Sequence, residues 1–429
     1  MTALLIAAAA LLLLGIGAPL FIAVAVATLG CLQFLGDGLL TAMIADMFNA
    51  VNKEVLLAIP FFVFAGALMT EGGIARRIID VARALTGWLP GGMAITTILA
   101  CLFFAAISGS SPVTVIAIGS MMLPALLKEG YREGFSLGLV TSAGSLGILI
   151  PPSIPMIVYA IMVSNSRNPL SVADLFLGGI GPGMVIGAIL AAHAFFQGTR
   201  GQGTRQPFSM AALCQSTRAG IFALALPLLI LGGIYGGWFT ATEASALAVA
   251  YALVVAVVIH RELPLTALPR LAAEAGVVMG SLFLILVTAM AFNQFLTLEQ
   301  LPQEAATWVT GHVHSRLSFL FLANLFLLAL GCVMDILSAI LIVAPLLAPI
   351  AAGYGIHPIH FGIIFIVNLE IGYLTPPLGL NLFVASTCFE RPITTVVRAA
   401  APFTLLLLLG LALVTYLPAI SLLFVGHGG

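Results

Sequence analysis

Apolar residues fill long runs along most of the chain, and short polar breaks cut those runs at a few places. The sharpest break is Ser108-Gly109-Ser110-Ser111-Pro112, between apolar runs at 95–107 and 113–127. Each run is about one short helix long, below the roughly 20 residues that cross a bilayer. Two short apolar helices around a polar break predict a hairpin that enters the membrane and turns back, with its tip near mid-depth. Non-helical backbone is tolerated there only where it is buried in protein or lines a cavity. The break is therefore a candidate ion or substrate site.

Composition sets the class. Hydrophobic residues make up 61% of the 429 positions and charged residues only 7%, against about 25% charged in soluble domains. The predicted fold class is an all-α polytopic membrane protein. A β-barrel would alternate apolar and polar residues instead of running them together. A net charge of −1 gives no signal for nucleic acid as a partner. Cys31, Cys101, Cys214, Cys332 and Cys388 are scattered through apolar segments and read as small core residues, with no disulfide framework or metal cluster. Met1-Thr-Ala-Leu-Leu lacks the positive region of a signal peptide, so the first run is expected to stay as a transmembrane helix.

In order, apolar helices are expected at 4–14 and 19–34, joined by a turn at 15–19, then an interfacial helix at 39–51 carrying Asp46 and Asn49. A span at 55–69 precedes a second interfacial helix at 74–89 with Arg76, Arg77, Asp80 and Arg83. The hairpin covers about 93–127, followed by a polar loop at 128–133 and a helix broken at Pro151-Pro152, about 133–163. A span from Asp174 to Phe196 closes the first half, 1–197. Residues 198–219, rich in Arg and free of acids, read as a cytoplasmic linker. In the second half, 220–429, spans are expected at 221–235, 244–259 and 277–292, with an interfacial piece at 264–275 and an amphipathic one at 299–313. A second hairpin follows at about 317–351, then a helix broken at Thr375-Pro376-Pro377, about 360–388, and a final apolar stretch at 397–425.

The second half repeats the punctuation of the first. A shift of 225 residues lays Pro124 on Pro349, Gly130 on Gly355, Gly147 on Gly372, Leu149 on Leu374, and Pro151-Pro152 on Pro376-Pro377. It also lays Ser110 on Asp335. Five crossings and one re-entrant hairpin per half give two inverted repeats, as in secondary transporters. Basic segments at 76–83, 128–132, 200–218, 261–270 and 391–398 then share one side, the cytoplasm by the positive-inside rule. Both termini would lie outside.

The breaks carry the candidate chemistry. Freed carbonyls and hydroxyls suit a hard cation such as Na⁺, and half-helix N-termini suit an anion. Ser111-Pro112 reads as an N-cap followed by Pro at the first helical position, and Pro152-Ser153 and Pro376-Pro377 as comparable helix starts. Asp335, a carboxylate inside an apolar run, is a functional candidate because such a charge costs roughly 2.5–3.5 kcal/mol to insert; it also has a plain reading as a helix cap. Glu370 has two readings, packing and lining the cavity. Glu243 is read as a helix cap behind Thr240, and His357 and His360 as solvated loop residues. No Gly-Lys pair accompanies the two lysines, Lys53 and Lys128, so a nucleotide-binding Walker motif is absent. No hydrolase motif is present either, and the chain is read as a transporter, not an enzyme. A self-sufficient Na⁺/dicarboxylate symporter and an ion channel are the competing classes.

Four segments carry a family resemblance: Ile107-Ser-Gly-Ser-Ser-Pro112, Gly147-Ile-Leu-Ile-Pro-Pro-Ser-Ile-Pro-Met156, Gly236-Gly-Trp-Phe-Thr-Ala-Thr-Glu-Ala244 and Asn368-Leu-Glu-Ile-Gly-Tyr-Leu-Thr-Pro-Pro-Leu-Gly-Leu-Asn-Leu-Phe383. They resemble the large membrane subunit of tripartite ATP-independent periplasmic (TRAP) transporters, over essentially the whole chain and in the form not fused to its small subunit. The resemblance implies an elevator-type, Na⁺-coupled importer of an organic acid, such as a C4-dicarboxylate or a sugar acid like sialic acid, in the bacterial inner membrane. It implies as partners a small four-helix membrane subunit and a periplasmic substrate-binding protein, and no cofactor beyond Na⁺ as coupling ion. Carried over by position, Ser108, Pro152, Ser153 and Asp335 would contact substrate. Ser108, Gly109, Ser110, Ser111, Gly144, Gly147, Met334, Ser338, Gly372, Thr375 and Pro376 would hold Na⁺.

Overall fold

The computed structural model describes residues 12–13, 20–34, 48, 52–164, 170–201 and 207–425. Most of the expected span at 4–14, the turn at 15–19, the interfacial helix at 39–51 apart from Phe48, and Arg205 fall outside the described residues.

Every regular element among the described residues is helical. Helix α1 is Leu20–Phe34; a 3-10 turn, Glu54–Leu57, leads into α2, Ala58–Glu71. Helix α3, Ile74–Thr86, buries Ile74, Ala75, Ile78, Ile79 and Ala82. That spacing marks one face of a helix, and it leaves Arg76 and Asp80 exposed. The first hairpin is α4, Gly92–Ser108, with α5, Ser111–Lys128; then come α6, Glu133–Ala143, a 3-10 turn, Gly144–Ile148, and α7, Ile154–Val163. Helix α8 is Val172–Thr199, α9 Met210–Tyr235, α10 Ala241–Leu253, α11 Leu268–Leu298 and α12 Leu301–His312. The second hairpin is α13, Arg316–Gly331, with α14, Ile336–Gly353. Then follow α15, Pro358–Gly372, α16, Leu380–Cys388, α17, Ile393–Tyr416, and α18, Pro418–Leu422.

Among the described residues, eight helices are long and apolar enough to cross a membrane. Helix α4, with 17 residues, spans only about 25 Å at 1.5 Å per residue, short of the ~30 Å hydrocarbon core. Three expectations change. The interfacial piece at 264–275 and the span at 277–292 are one helix of 31 residues, α11. Its buried Leu271, Ala275, Met279 and Leu286 continue one stripe, so nothing interrupts the helix at Gly276. The expected linker at 198–219 is helical from Met210, where Ser209 accepts a hydrogen bond from the Ala212 amide. His360 is not in a loop: it lies in α15, fully buried, with its ring nitrogens 3.2 Å from Ser421 Oγ and from the Thr415 carbonyl. His357 is the N-cap of α15, and Glu243 closes a capping box with Thr240.

Packing runs across the two halves. Helix α5 lies on α16 and α14 on α7; α6 lies on α17 and α15 on α8; α2 lies on α10 and α11 on α1. The 225-residue shift exchanges the members of each pair, and the starts of α5 and α14, and of α6 and α15, are also 225 residues apart. One apolar core joins both halves, with the ring of Tyr159 in α7 5.7 Å from Phe365 in α15. Ion pairs tie together the segments read as basic and cytoplasmic: Arg77 with Glu262, Arg270 with Glu71, Arg83 with Glu129 and Arg391 with Glu133. The hydrogen bond from Arg77 holds the Glu262 carboxyl below its ordinary range, against the opposing effect of burial.

Candidate functional site

The first tip forms because α4 has a residue that leaves the right-handed region and α5 has one that starts a helix. Gly109 takes φ +57 and donates its amide to Ala105 O at 3.1 Å, a left-handed stop that favours glycine. A Cβ at Gly109 would sit 2.6 Å from the Pro152 carbonyl oxygen. The tip is thus pressed onto the first break. On the other side of the tip, a Cβ at Gly147 would meet Ser110 O at 2.8 Å, and one at Gly144 would meet Val115. The N-cap of α5 is Ser110, one residue before the expected Ser111, and its side chain makes no capping bond.

Ser111 is held from the opposite half. Its hydroxyl donates to Glu370 Oε1 at 2.7 Å and accepts from Asn381 Nδ2 at 2.6 Å. Asn381 Nδ2 also lies 3.2 Å from Glu370 Oε1. All three side chains are buried, while Glu370 Oε2 and Asn381 Oδ1 have no hydrogen-bond partner. Ser108 Oγ lies 3.0 Å from Thr114 Oγ1, which donates to Ser110 O at 2.8 Å.

The second tip is built differently. Asp335 caps α14, accepting from the Ser338 amide at 2.9 Å and from the Ser338 hydroxyl. The Ile336 amide donates to Tyr373 Oη at 2.9 Å. A Cβ at Gly372 would meet the Gly331 carbonyl carbon at 2.4 Å, and the Leu378 amide donates to Cys332 O at 3.1 Å. The second tip is pressed onto the second break as the first is onto its own.

Both tips line one cavity of about 420 Å³. Ser108, Gly109, Ser110, Ser111 and Pro112 come from the first tip; Asp335, Ile336 and Leu337 from the second; Gly66 and Glu274 stand on the flanking α2 and α11. Two carboxylates, Asp335 and Glu274, and no Lys or Arg among the described residues line it. Arg270 Nη1 is 3.7 Å from Glu274, one helical turn away. Hydroxyl and carboxylate oxygens are the ligand type that hard cations take.

The sequence matches the family model for the DctM component of the tripartite ATP-independent periplasmic transporter over residues 5–420. The chain belongs to this family. It is 45% identical over 377 residues to the C4-dicarboxylate TRAP transporter large permease protein DctM of Pseudomonas aeruginosa, covering 88% of this chain and 87% of that one. It is 38% identical over 417 residues to the isethionate TRAP transporter permease protein DctMQ of Oleidesulfovibrio alaskensis, covering 97% of this chain and 65% of that one. Among solved structures, the YdaH transporter of Alcanivorax borkumensis has the same fold, with TM-score 0.66 at 15% identity and 90% of each chain covered. The protein is therefore a TRAP large permease, a transporter subunit and not an enzyme.

In this TRAP permease the cavity gathers Ser108, Gly109, Ser110, Ser111 and Asp335 of the residues named from sequence. Gly144, Gly147, Pro152 and Ser153 are buried behind the first tip, and Ser153 Oγ has no partner. Met334, Ser338, Gly372, Thr375 and Pro376 flank the second tip without lining the cavity. The helix after the second break starts at Leu380, with Gly379 as N-cap, three residues beyond the expected Pro376-Pro377 start. Glu274, Tyr373 and Asn381 were not singled out from sequence. A signal for Glu274 existed in its spacing of four from Arg270, which is one helical turn. Asn381 stood out as an amide within an apolar run, and Tyr373 gave no signal.

Proposed function

We propose that this permease drives Na⁺-coupled uptake of an organic acid, a C4-dicarboxylate or a sugar acid, delivered by a periplasmic binding protein. A small four-helix membrane subunit braces it, and two inverted repeats move the site by an elevator motion. The observation that carries this reading is the single cavity shared by the two tips. An anion entering this space meets like charge from Asp335, since Arg270 stands beside the other carboxylate, Glu274, and bound Na⁺ offsets it. Relatives named for C4-dicarboxylate and isethionate transport support an anionic substrate. In this reading the ion-paired basic segments face the cytoplasm and both termini face the periplasm.

The test is uptake of labelled succinate and sialic acid into vesicles holding the permease, with the small subunit, the binding protein and an inward Na⁺ gradient supplied in turn. Uptake is expected only with all three. Uptake by the permease alone would overturn the need for partners, and equal uptake with choline in place of Na⁺ would overturn the coupling ion.

A further inference from the structure

Glu370 stands in the last turn of α15 and Tyr373, three residues on, is its C-cap, so the two lie on one face of the helix end. Each holds a different tip. Glu370 takes the Ser111 hydroxyl of the first tip at 2.7 Å, and Tyr373 Oη takes the Ile336 amide of the second at 2.9 Å. No other element among the described residues makes a side-chain hydrogen bond to both tips. Asn381 extends the grip across the break, because it stands in α16 and holds both Ser111 and Glu370. Ser111, Ile336 and Tyr373 all line the shared cavity, while Glu370 is buried behind it.

We infer that the last turn of α15 couples the two tips, with Glu370 and Tyr373 as positioning residues through which a shift at one tip is imposed on the other. This deepens the transport reading and rests on it: a site assembled from two separate tips needs a physical link if both tips are to close on what it binds. The link is short and rigid. It consists of one helical turn with a hydrogen bond at each end, and Gly372 in that turn lies against Gly331. A displacement of Ser111 therefore pulls on the turn that positions Tyr373, and a displacement of Ile336 pulls on the turn that positions Glu370.

The experiment is amide hydrogen exchange on the full chain in lipid nanodiscs, read at 108–114 and at 333–339, with peptides from α9 as the control. Tyr373→Phe removes one oxygen that touches only the second tip. It is expected to speed exchange at least threefold at both tips and to leave α9 unchanged. Glu370→Ala is expected to do the same from the other side, and Glu370→Gln, which keeps an acceptor for Ser111 and Asn381, to stay within twofold of the parent at both tips. Acceleration confined to the tip that each substitution touches overturns the coupling. If Glu370→Ala fails to accumulate, Tyr373→Phe decides alone. Repeating the parent measurement in NaCl and in choline chloride reads the Na⁺ proposal separately: equal protection in both salts counts against Na⁺ and leaves the cross-tip result standing.

Discussion

Ser110 and Asp335 occupy equivalent places at the two tips, each the N-cap of the helix that follows, yet they meet their polar needs in opposite ways. Ser110 makes no capping bond, and its tip depends on neighbours: the Pro152 carbonyl against Gly109, and the Glu370–Asn381 pair around Ser111. Asp335 caps its own helix and remains exposed, and Pro376 and Pro377 beside it are exposed where Pro151 and Pro152 are buried. A tip satisfied by its surroundings is fixed by them. A tip that satisfies itself keeps its helix start when its surroundings change.

The largest expected effect breaks the seating of the first tip. Gly109→Val puts a β-branched residue at φ +57 with its Cβ 2.6 Å from Pro152 O. Uptake in vesicles at equal protein level should fall more than tenfold, and retention of half the activity would show that the tip is not seated there. Next comes Asp335→Asn, which keeps a capping side chain and removes the cavity carboxylate. Uptake should again drop at least tenfold, with thermal unfolding shifted by no more than about 1 kcal/mol; normal uptake would reduce Asp335 to a cap. Ser111→Ala deletes a buried hydrogen bond to the Glu370 carboxyl group, worth about 0.5–1.5 kcal/mol. It should lower the apparent unfolding temperature more than Ser338→Ala, and the reverse order would contradict the contrast between the tips. The smallest effect is expected at the rim. Arg77→Ala removes the Arg77–Glu262 pair and should cost under about 1 kcal/mol, since the pair is solvent-screened. The Glu262 carboxyl lies below its ordinary 4.5, so its contribution is full above that pH and is lost as pH falls through the lowered value. Acid titration of unfolding should show that loss in the parent and not in Arg77→Ala.

Much of the fold was legible because breaks in apolar runs have few meanings in a membrane. Helix pairs stand at both expected hairpin ranges, α4 with α5 and α13 with α14, and α5 and α14 are each long and apolar enough to cross a membrane. The broken helices at 133–163 and 360–388 also end within two residues of their expected limits. Boundaries failed where composition changed without a change of backbone. The polar start of α11 read as a separate interfacial piece, and the basic start of α9 as linker. His360 failed because its partners, Thr415 and Ser421, lie more than 50 residues away.

The sequence by itself determined the membrane class, the two tips, the two Pro-Pro breaks and the carboxylate at only one tip. These are local properties, set by apolar run length, by glycine at a left-handed stop and by residues that start helices. Only the tertiary structure decided which tip is buried, that both open on one cavity with Glu274, and that Glu370 and Tyr373 reach opposite tips from one helical turn. Those contacts join residues up to 270 positions apart. Their partners are chosen by packing across the two halves, and no spacing along the chain records that choice.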